Sequence, residues 1–150
     1  MSVKQYRKGV GIVLLNANDQ VFVGQRADQS FDAWQMPQGG IDGDEIPIQA
    51  ALRELEEEVG TNNVKILKES ATWLKYEIPS EFVPHFWNGK YVGQEQKWFL
   101  AKLLGGEELI NIATSHPEFI AYKWVNPSQL VEGIVPFKQD MYRAIVKEFF

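Results

Sequence analysis

The stretch from Gly39 to Gly60 restricts the fold more than any other part of the chain, because a paired-glycine loop runs there directly into an amphipathic, strongly acidic helix. The spacing predicts a helix that begins near Asp44 or Ile46 and accepts Pro47, since first-turn amides have no acceptor within the helix. It stops at Gly60, the residue type best suited to the left-handed turn that follows a helix. At about 100° per residue, Ile48, Ala51, Leu52, Leu55 and Val59 share one side and form the stripe that should face a core. Glu54, Glu57 and Glu58 fall on another side at i, i+3 and i+4, whereas Glu56 projects toward solvent. Like charges so spaced repel by roughly a few tenths of a kcal/mol per pair, so an isolated helix gains nothing from them. A divalent cation reverses that sign, and Mg²⁺ commonly binds one or two carboxylates together with water and phosphate oxygens. For three glutamates taken alone, a solvated acidic face is the competing reading.

Around this helix the sequence is strand-rich. Val10 to Leu15 is a near-continuous apolar run, and Val21 to Val23 resumes it after a polar turn from Asn16 to Gln20, so the two read as a hairpin. Asp28 to Asp32 forms a polar connection into Trp34-Gln35-Met36-Pro37-Gln38-Gly39-Gly40, where Pro and two Gly imply a loop. Val64 to Leu67, Ala71 to Ile78, Lys97 to Leu103 and Ala121 to Val125 are short and rich in β-branched and aromatic residues, as strands are. Pro127 to Val131 reads as a short helix, and Lys138 to Phe149 as a terminal amphipathic one. This order predicts an α/β fold, a mixed sheet covered by helices on both faces in an α/β/α sandwich. Residues 79 to 95 interrupt the pattern with Phe82, His85, Phe86, Trp87 and Tyr91, either as a substrate-contacting loop or as a packed structural one.

The 150 residues, 45% of them hydrophobic, suit a single domain spanning 1–150. No apolar run approaches the roughly 20 residues of a spanning helix, and Met1 to Tyr6 lacks the apolar region of a signal peptide, so a soluble cytoplasmic protein without a membrane partner is expected. The lack of cysteine excludes disulfides, thiolate zinc sites and a thiol nucleophile. A formal charge of −5 weighs against tracking along DNA or a long RNA backbone, but leaves room for a single nucleotide end. Part of that negative charge can belong to a cation site.

Gly39, Glu45, Arg53, Glu54, Leu55, Glu57, Glu58 and Gly60 stand at the spacing of the Nudix box, and the chain resembles the Nudix hydrolases. The departure is Thr61, where that family usually carries an aliphatic residue. The resemblance implies a Nudix-type α/β/α sandwich that cleaves a phosphoanhydride with Mg²⁺, or Mn²⁺ in its place, using more than one ion. It implies that Glu54, Glu57 and Glu58 bind the metals, with Glu57 or Glu58 helping to deprotonate the attacking water. The Gly40 carbonyl would be an additional ligand. Gly39, Glu45, Arg53 and Gly60 would be structural, Arg53 orienting Glu57 one turn away. A phosphoanhydride needs neutralised non-bridging oxygens, a positioned water and a stabilised leaving phosphate, all of which metal ions supply.

Outside the box, Trp34 to Gly40, Gly93 to Phe99, Pro117 to Phe119 and Pro136 to Asp140 resemble the bacterial RNA pyrophosphohydrolase group, while Trp87-Asn88-Gly89-Lys90-Tyr91 is similar to members that cleave dinucleoside tetraphosphates. The leading expectation is removal of pyrophosphate from 5′-triphosphorylated RNA, leaving a 5′-monophosphate. Hydrolysis of a dinucleoside polyphosphate is the close alternative. A non-catalytic nucleotide- or RNA-binding module is the third, disfavoured because every carboxylate of the box is present. The resemblance makes Glu118 a further metal ligand or candidate base. It aims Arg7, Arg26, Gln94 and Lys138 at the phosphate chain or first nucleotides, and stacks Phe137 on a base. Trp34 and Trp98 read as packing anchors. His85 and His116 are expected to take no catalytic part. The end at Phe150, without the basic tail of longer members, suggests modest RNA affinity, and the oligomeric state is left open.

Overall fold

The computed structural model describes residues 3–27 and 33–150; the polar connection at Asp28 to Asp32 lies outside these described residues. Strand β1 (Tyr6–Leu15) turns back into β2 (Val21–Arg26) as an antiparallel pair. The turn is built by Asn16, whose Oδ1 accepts the N–H groups of Asn18 at 3.0 Å and Gln20 at 2.9 Å, the side-chain bonding that makes Asn a turn former. Within the expected loop, Gln38–Gly40 forms a short strand, β3, antiparallel to β1 with Gly9 opposite Gly40 and Gly11 opposite Gln38.

Helix α1 (Pro47–Val59) follows an extended Ile46 and closes on Gly60, whose φ of 88° is left-handed. Thr61 is buried and its hydroxyl accepts the N–H of Asn63 at 3.1 Å, so the unusual residue leaves no orphan polar group at the helix end. Strands β4 (Val64–Glu69), β5 (Leu74–Glu77), β6 (Gly93–Leu103) and β7 (Phe119–Val125) complete the sheet. Its order is β4-β6-β1-β2-β7, with β3 on β1 and β5 on β6. Among the described residues only β1 and β6 run parallel, in register from Tyr6 opposite Gly93 to Leu15 opposite Lys102. Most of the connection at residues 79–95 is two 3-10 turns, Ser80–His85 and Trp87–Gly89, and its end belongs to β6. Pro127–Gln129 is likewise a 3-10 turn leading into the short helix α2 (Leu130–Gly133). The last helix, α3 (Gln139–Phe149), follows a 3-10 turn at Pro136–Lys138.

Alternation along β1 sends residues to two cores. Val10, Ile12 and Leu14 pack with Ala51, Leu55 and Val59 of α1. Val13 and Leu15 pack with Trp98, Leu130, Tyr142 and Ile145 on the other side. Covering both faces is why the β1 sequence reads as a continuous apolar run, and it yields the expected mixed sheet with helices on two sides. Trp98 is fully buried opposite Gly11, where any Cβ would meet its indole. Trp34 packs instead under the ammonium of Lys123, 4.4 Å from the ring centre. Among the described residues no helix is long and apolar enough to cross a membrane.

The stripe on α1 is broader than expected. Ala50 and Glu58 are buried along with Ala51, Leu55 and Val59, while Leu52 is only partly covered. Ala50 packs into the same cluster as Val10 and Ile12, and Glu58 is covered where Gln38 of β3 donates to it.

Candidate active site

A cleft of about 380 Å³ is lined by residues from β1, β2, β3, α1, β5 and β6 and from the loops before β7 and α3. Its polar floor follows from the alternation of β6, which puts Gln94, Gln96 and Trp98 on one face. The Trp98 Nε1–H donates to Gln96 Oε1 at 3.2 Å, and Gln96 Nε2 donates to Gln38 Oε1 at 2.9 Å. Gln94 Nε2 donates to the same Gln38 oxygen at 3.2 Å and to the Tyr76 hydroxyl at 2.7 Å. Arg7 in turn donates to Gln94 Oε1 at 3.3 Å. A run from the buried indole to the guanidinium therefore holds Arg7 in place, each member satisfied by the next.

Carboxylates enter from α1 and from the loop before β7. Glu58 is only 2% exposed, and its Oε2 accepts the backbone N–H of Gln38 at 3.0 Å. Burial pushes its carboxyl well above the ordinary range, with repulsion from Glu54 and Glu118 adding to the shift and the Gln38 N–H opposing it. Burial also raises Glu54, against the pull of Arg53. Glu118 joins them, 3.7 Å from the guanidinium of Arg26. Glu57 is not part of the cleft lining; its side chain is 57% exposed and meets Arg53 at 3.2 Å.

Arg53 binds this region together from behind. It grips Glu45 with two bonds, Nε to Oε2 at 2.8 Å and Nη2 to Oε1 at 3.0 Å. It also donates to Glu54 at 2.8 Å and to the Gly40 carbonyl at 2.9 Å. The guanidinium holds Glu45 below the usual carboxylate range, assisted by the Asp42 N–H. Two glycines let functional side chains close in on β3: a Cβ on Gly39 would displace the Glu54 carboxylate, and one on Gly40 would displace the guanidinium of Arg7.

Cationic and aromatic groups complete the cleft. Arg7, Arg26 and Lys138 line it. The Lys138 ammonium lies 5.0 Å from the Tyr76 ring centre. Burial, and secondarily Arg26, pull its pKa down from 10.5 to about 8, with Glu58 opposing. Phe137 sits 6.0 Å from Tyr76, and Arg7 lies 5.7 Å from the Trp87 ring. Trp87, Asn88 and Gly89 have φ values of 48°, 58° and 72°, a left-handed run that is strained at the two non-glycine residues.

Of the residues singled out from sequence, the cleft gathers Arg7, Arg26, Gly39, Gly40, Glu54, Glu58, Gln94, Glu118, Phe137 and Lys138. Glu45, Arg53 and Gly60 stand outside its lining, as do His85 and His116. Sequence reasoning assigned no role in the site to Gln35, Gln38, Tyr76 or Val135. The alternation of β5 and β6 is the signal that could have found Tyr76 facing Gln94 and Gln38. Among the described residues no three acidic or histidine side chains are gathered into a ready coordination shell, and Arg53 pairs with Glu54 and Glu57. The donor chemistry nevertheless fits a hard divalent cation: every donor is oxygen, and the mutual repulsion of Glu54, Glu58 and Glu118 is what a cation would cancel.

Residues 5–145 match the family model described as NUDIX domain. The chain is 49% identical over 144 residues to an RNA pyrophosphohydrolase of Rickettsia typhi, covering 96% of this chain and 89% of that protein. It is 51% identical over 146 residues to an RNA pyrophosphohydrolase of Roseobacter denitrificans, covering 96% and 91%. Among solved structures, the E. coli dihydroneopterin triphosphate pyrophosphohydrolase superposes with a TM-score of 0.72 at 23% identity, covering 97% of each chain. The C. elegans Ap4A hydrolase in a binary complex gives 0.67 at 23% identity, covering 95% of this chain and 99% of that one. With the box of residues 39–61 running from β3 through α1 beside the cleft and the family model matched to residues 5–145, this chain belongs to the Nudix hydrolases.

Proposed function

We propose that this protein is a metal-dependent hydrolase that removes pyrophosphate from the 5′-triphosphate end of RNA and leaves a 5′-monophosphate. The observation that carries this reading is the meeting in one cleft of the carboxylates Glu54, Glu58 and Glu118 with the cations Arg7, Arg26 and Lys138 and the aromatic Phe137. Identities of 49% and 51% to two RNA pyrophosphohydrolases support the substrate class.

Glu54, Glu57, Glu58, Glu118 and the Gly40 carbonyl would hold Mg²⁺, with Mn²⁺ as a substitute and more than one ion per site. Bound cations supply neutralisation of the phosphate oxygens and a water acidified toward neutrality. Because Arg53 now bonds Glu54, Glu57 and Gly40 together, loading the site would redistribute those bonds while Glu45 keeps the guanidinium anchored. Arg7 and Arg26 present planar forks to phosphate oxygens, and Lys138 adds a point charge. Gln94, held by Tyr76 and Gln38, keeps Arg7 aimed into the cleft. Phe137 stacks on a base. The Oε1 of Glu58, opposite the oxygen bound by Gln38, is one acceptor for the proton of the attacking water; Glu57 and Glu118 are the others. Such an enzyme would act in the cytoplasm, in mRNA decay.

A second reading, hydrolysis of a dinucleoside polyphosphate, is favoured by a second aromatic pair. Phe86 and Trp87 line the same cleft as Phe137 and Tyr76, which suits a substrate with a nucleoside at each end. The test compares purified protein on 5′-triphosphorylated RNA, diadenosine tetraphosphate and free nucleoside triphosphates, with Mg²⁺ and with chelator. The RNA reading expects RNA to be the most efficient substrate and chelator to abolish turnover. Efficiency on RNA far below that on the dinucleotide would overturn the ranking.

A further inference from the structure

Gln35 lines the cleft and is 4% exposed, yet among the described residues its Nε2 has no hydrogen-bond partner. Its backbone cannot withdraw to relieve this. Gln35 exchanges two bonds with Gly24, at 2.8 and 2.9 Å; the Trp34 N–H donates to Gly133 at 2.8 Å, and the Met36 N–H donates to the Tyr142 hydroxyl at 2.9 Å. A buried donor without an acceptor is costly, and an apolar side chain of equal size would remove the cost at no loss to packing. The amide is therefore best explained by an acceptor that arrives with a ligand.

The positive charge in the cleft comes from Arg7, Arg26 and Lys138, which suit phosphates, and the carboxylates Glu54, Glu58 and Glu118 suit metal, whereas Gln35 is neutral. The Trp34 bond ties the segment of Gln35 to Gly133, two residues before Val135 and four before Phe137, both of which line the cleft. We propose, resting on the RNA reading above, that Gln35 is a specificity-determining residue whose amide hydrogen-bonds the edge of a nucleobase seated against Phe137. A neutral donor in the same cleft as an apolar and an aromatic side chain can discriminate between base edges, because a base that offers no acceptor there leaves the buried amide unpaired.

The test measures kcat/KM, with Mg²⁺, for wild type, Gln35→Met and Gln35→Leu on short 5′-triphosphorylated RNAs whose first and second nucleotides are varied in turn through the four bases. Thermal unfolding is followed in parallel. The inference expects a base preference in the wild type at one of the two positions. In both variants the spread between best and worst base narrows about tenfold or more, and the unfolding midpoint is unchanged or raised. It is overturned by a flat wild-type profile, by an equal loss on every RNA, by an unchanged profile, or by a marked fall in the midpoint of both variants. Inactivity of the wild type on every RNA would instead overturn the RNA reading itself.

Discussion

The carboxylate of Glu58 accepts the backbone N–H of Gln38 at 3.0 Å, joining α1 to β3 at the floor of the cleft while keeping one oxygen free. Glu58→Gln preserves this bond and the side-chain volume but removes a charge that burial and two neighbouring carboxylates disfavour. The variant should unfold at the same temperature as wild type or higher, in the absence of metal, and turn over about a hundredfold or more slowly. Calorimetry and steady-state kinetics on one preparation check both halves.

Glu57 separates a ligand role from an architectural one. Its side chain is 57% exposed and its visible partner is Arg53, so Glu57→Gln should change stability by less than about 0.5 kcal/mol. If Glu57 binds metal once the site is loaded, turnover falls about as steeply as in Glu58→Gln. Near-normal turnover in both variants would sink the metal assignment.

Arg53→Lys should destabilise the fold by about 1–3 kcal/mol, because an ammonium cannot reproduce the two-pronged grip on Glu45 together with the bonds to Glu54 and the Gly40 carbonyl. Weaker Mg²⁺ binding should accompany the loss, since the same residue positions Glu54 and Glu57. Chemical denaturation and a titration of Mg²⁺ against activity measure the two effects. Wild-type stability in the variant would show that the network contributes nothing.

Lys138 links pH to both stability and function. Its pKa is about 8 in the folded protein against 10.5 as an ordinary side chain. The unfolded chain therefore binds more protons between those values, and stability rises with pH from about 8 to 10.5; below pH 8 the full cost of the partly buried ammonium is present. Lys138→Met should stabilise the protein at pH 7 by about 1–2 kcal/mol after allowance for solvent screening, while raising KM. In the wild type, kcat/KM should fall as pH climbs through about 8 and the ammonium is lost. An identical alkaline limb in the Met variant would assign it to another group.

Much of this architecture was legible in the residues. The ends of α1 followed from Pro47 and Gly60, the β1–β2 turn from the polar stretch Asn16 to Gln20, and helices on both faces of the sheet from the order of strands and helices. Helical spacing placed Glu54, Glu57 and Glu58 on one side but said nothing about what covers that side. That depends on β3, a three-residue strand hidden in a sequence that reads as loop, whose pairing with β1 buries Glu58 and leaves Glu57 outside. Tyr76 and Gln38 escaped for a related reason: alternation along β5 and β6 can give the face on which a side chain lies, but pairing between strands distant in sequence is what brings those faces into one site. Resemblance brought Arg7, Arg26, Gln94, Glu118, Phe137 and Lys138 into the argument, and all six line the cleft.

The most direct measurement follows the label on RNA carrying a labelled γ-phosphate, incubated with the protein and Mg²⁺. The account predicts that label appears in pyrophosphate, that the RNA is left with a 5′-monophosphate, and that chelator or Glu58→Gln suppresses the reaction. Label released only as orthophosphate, or release at the same rate with chelator, would contradict it.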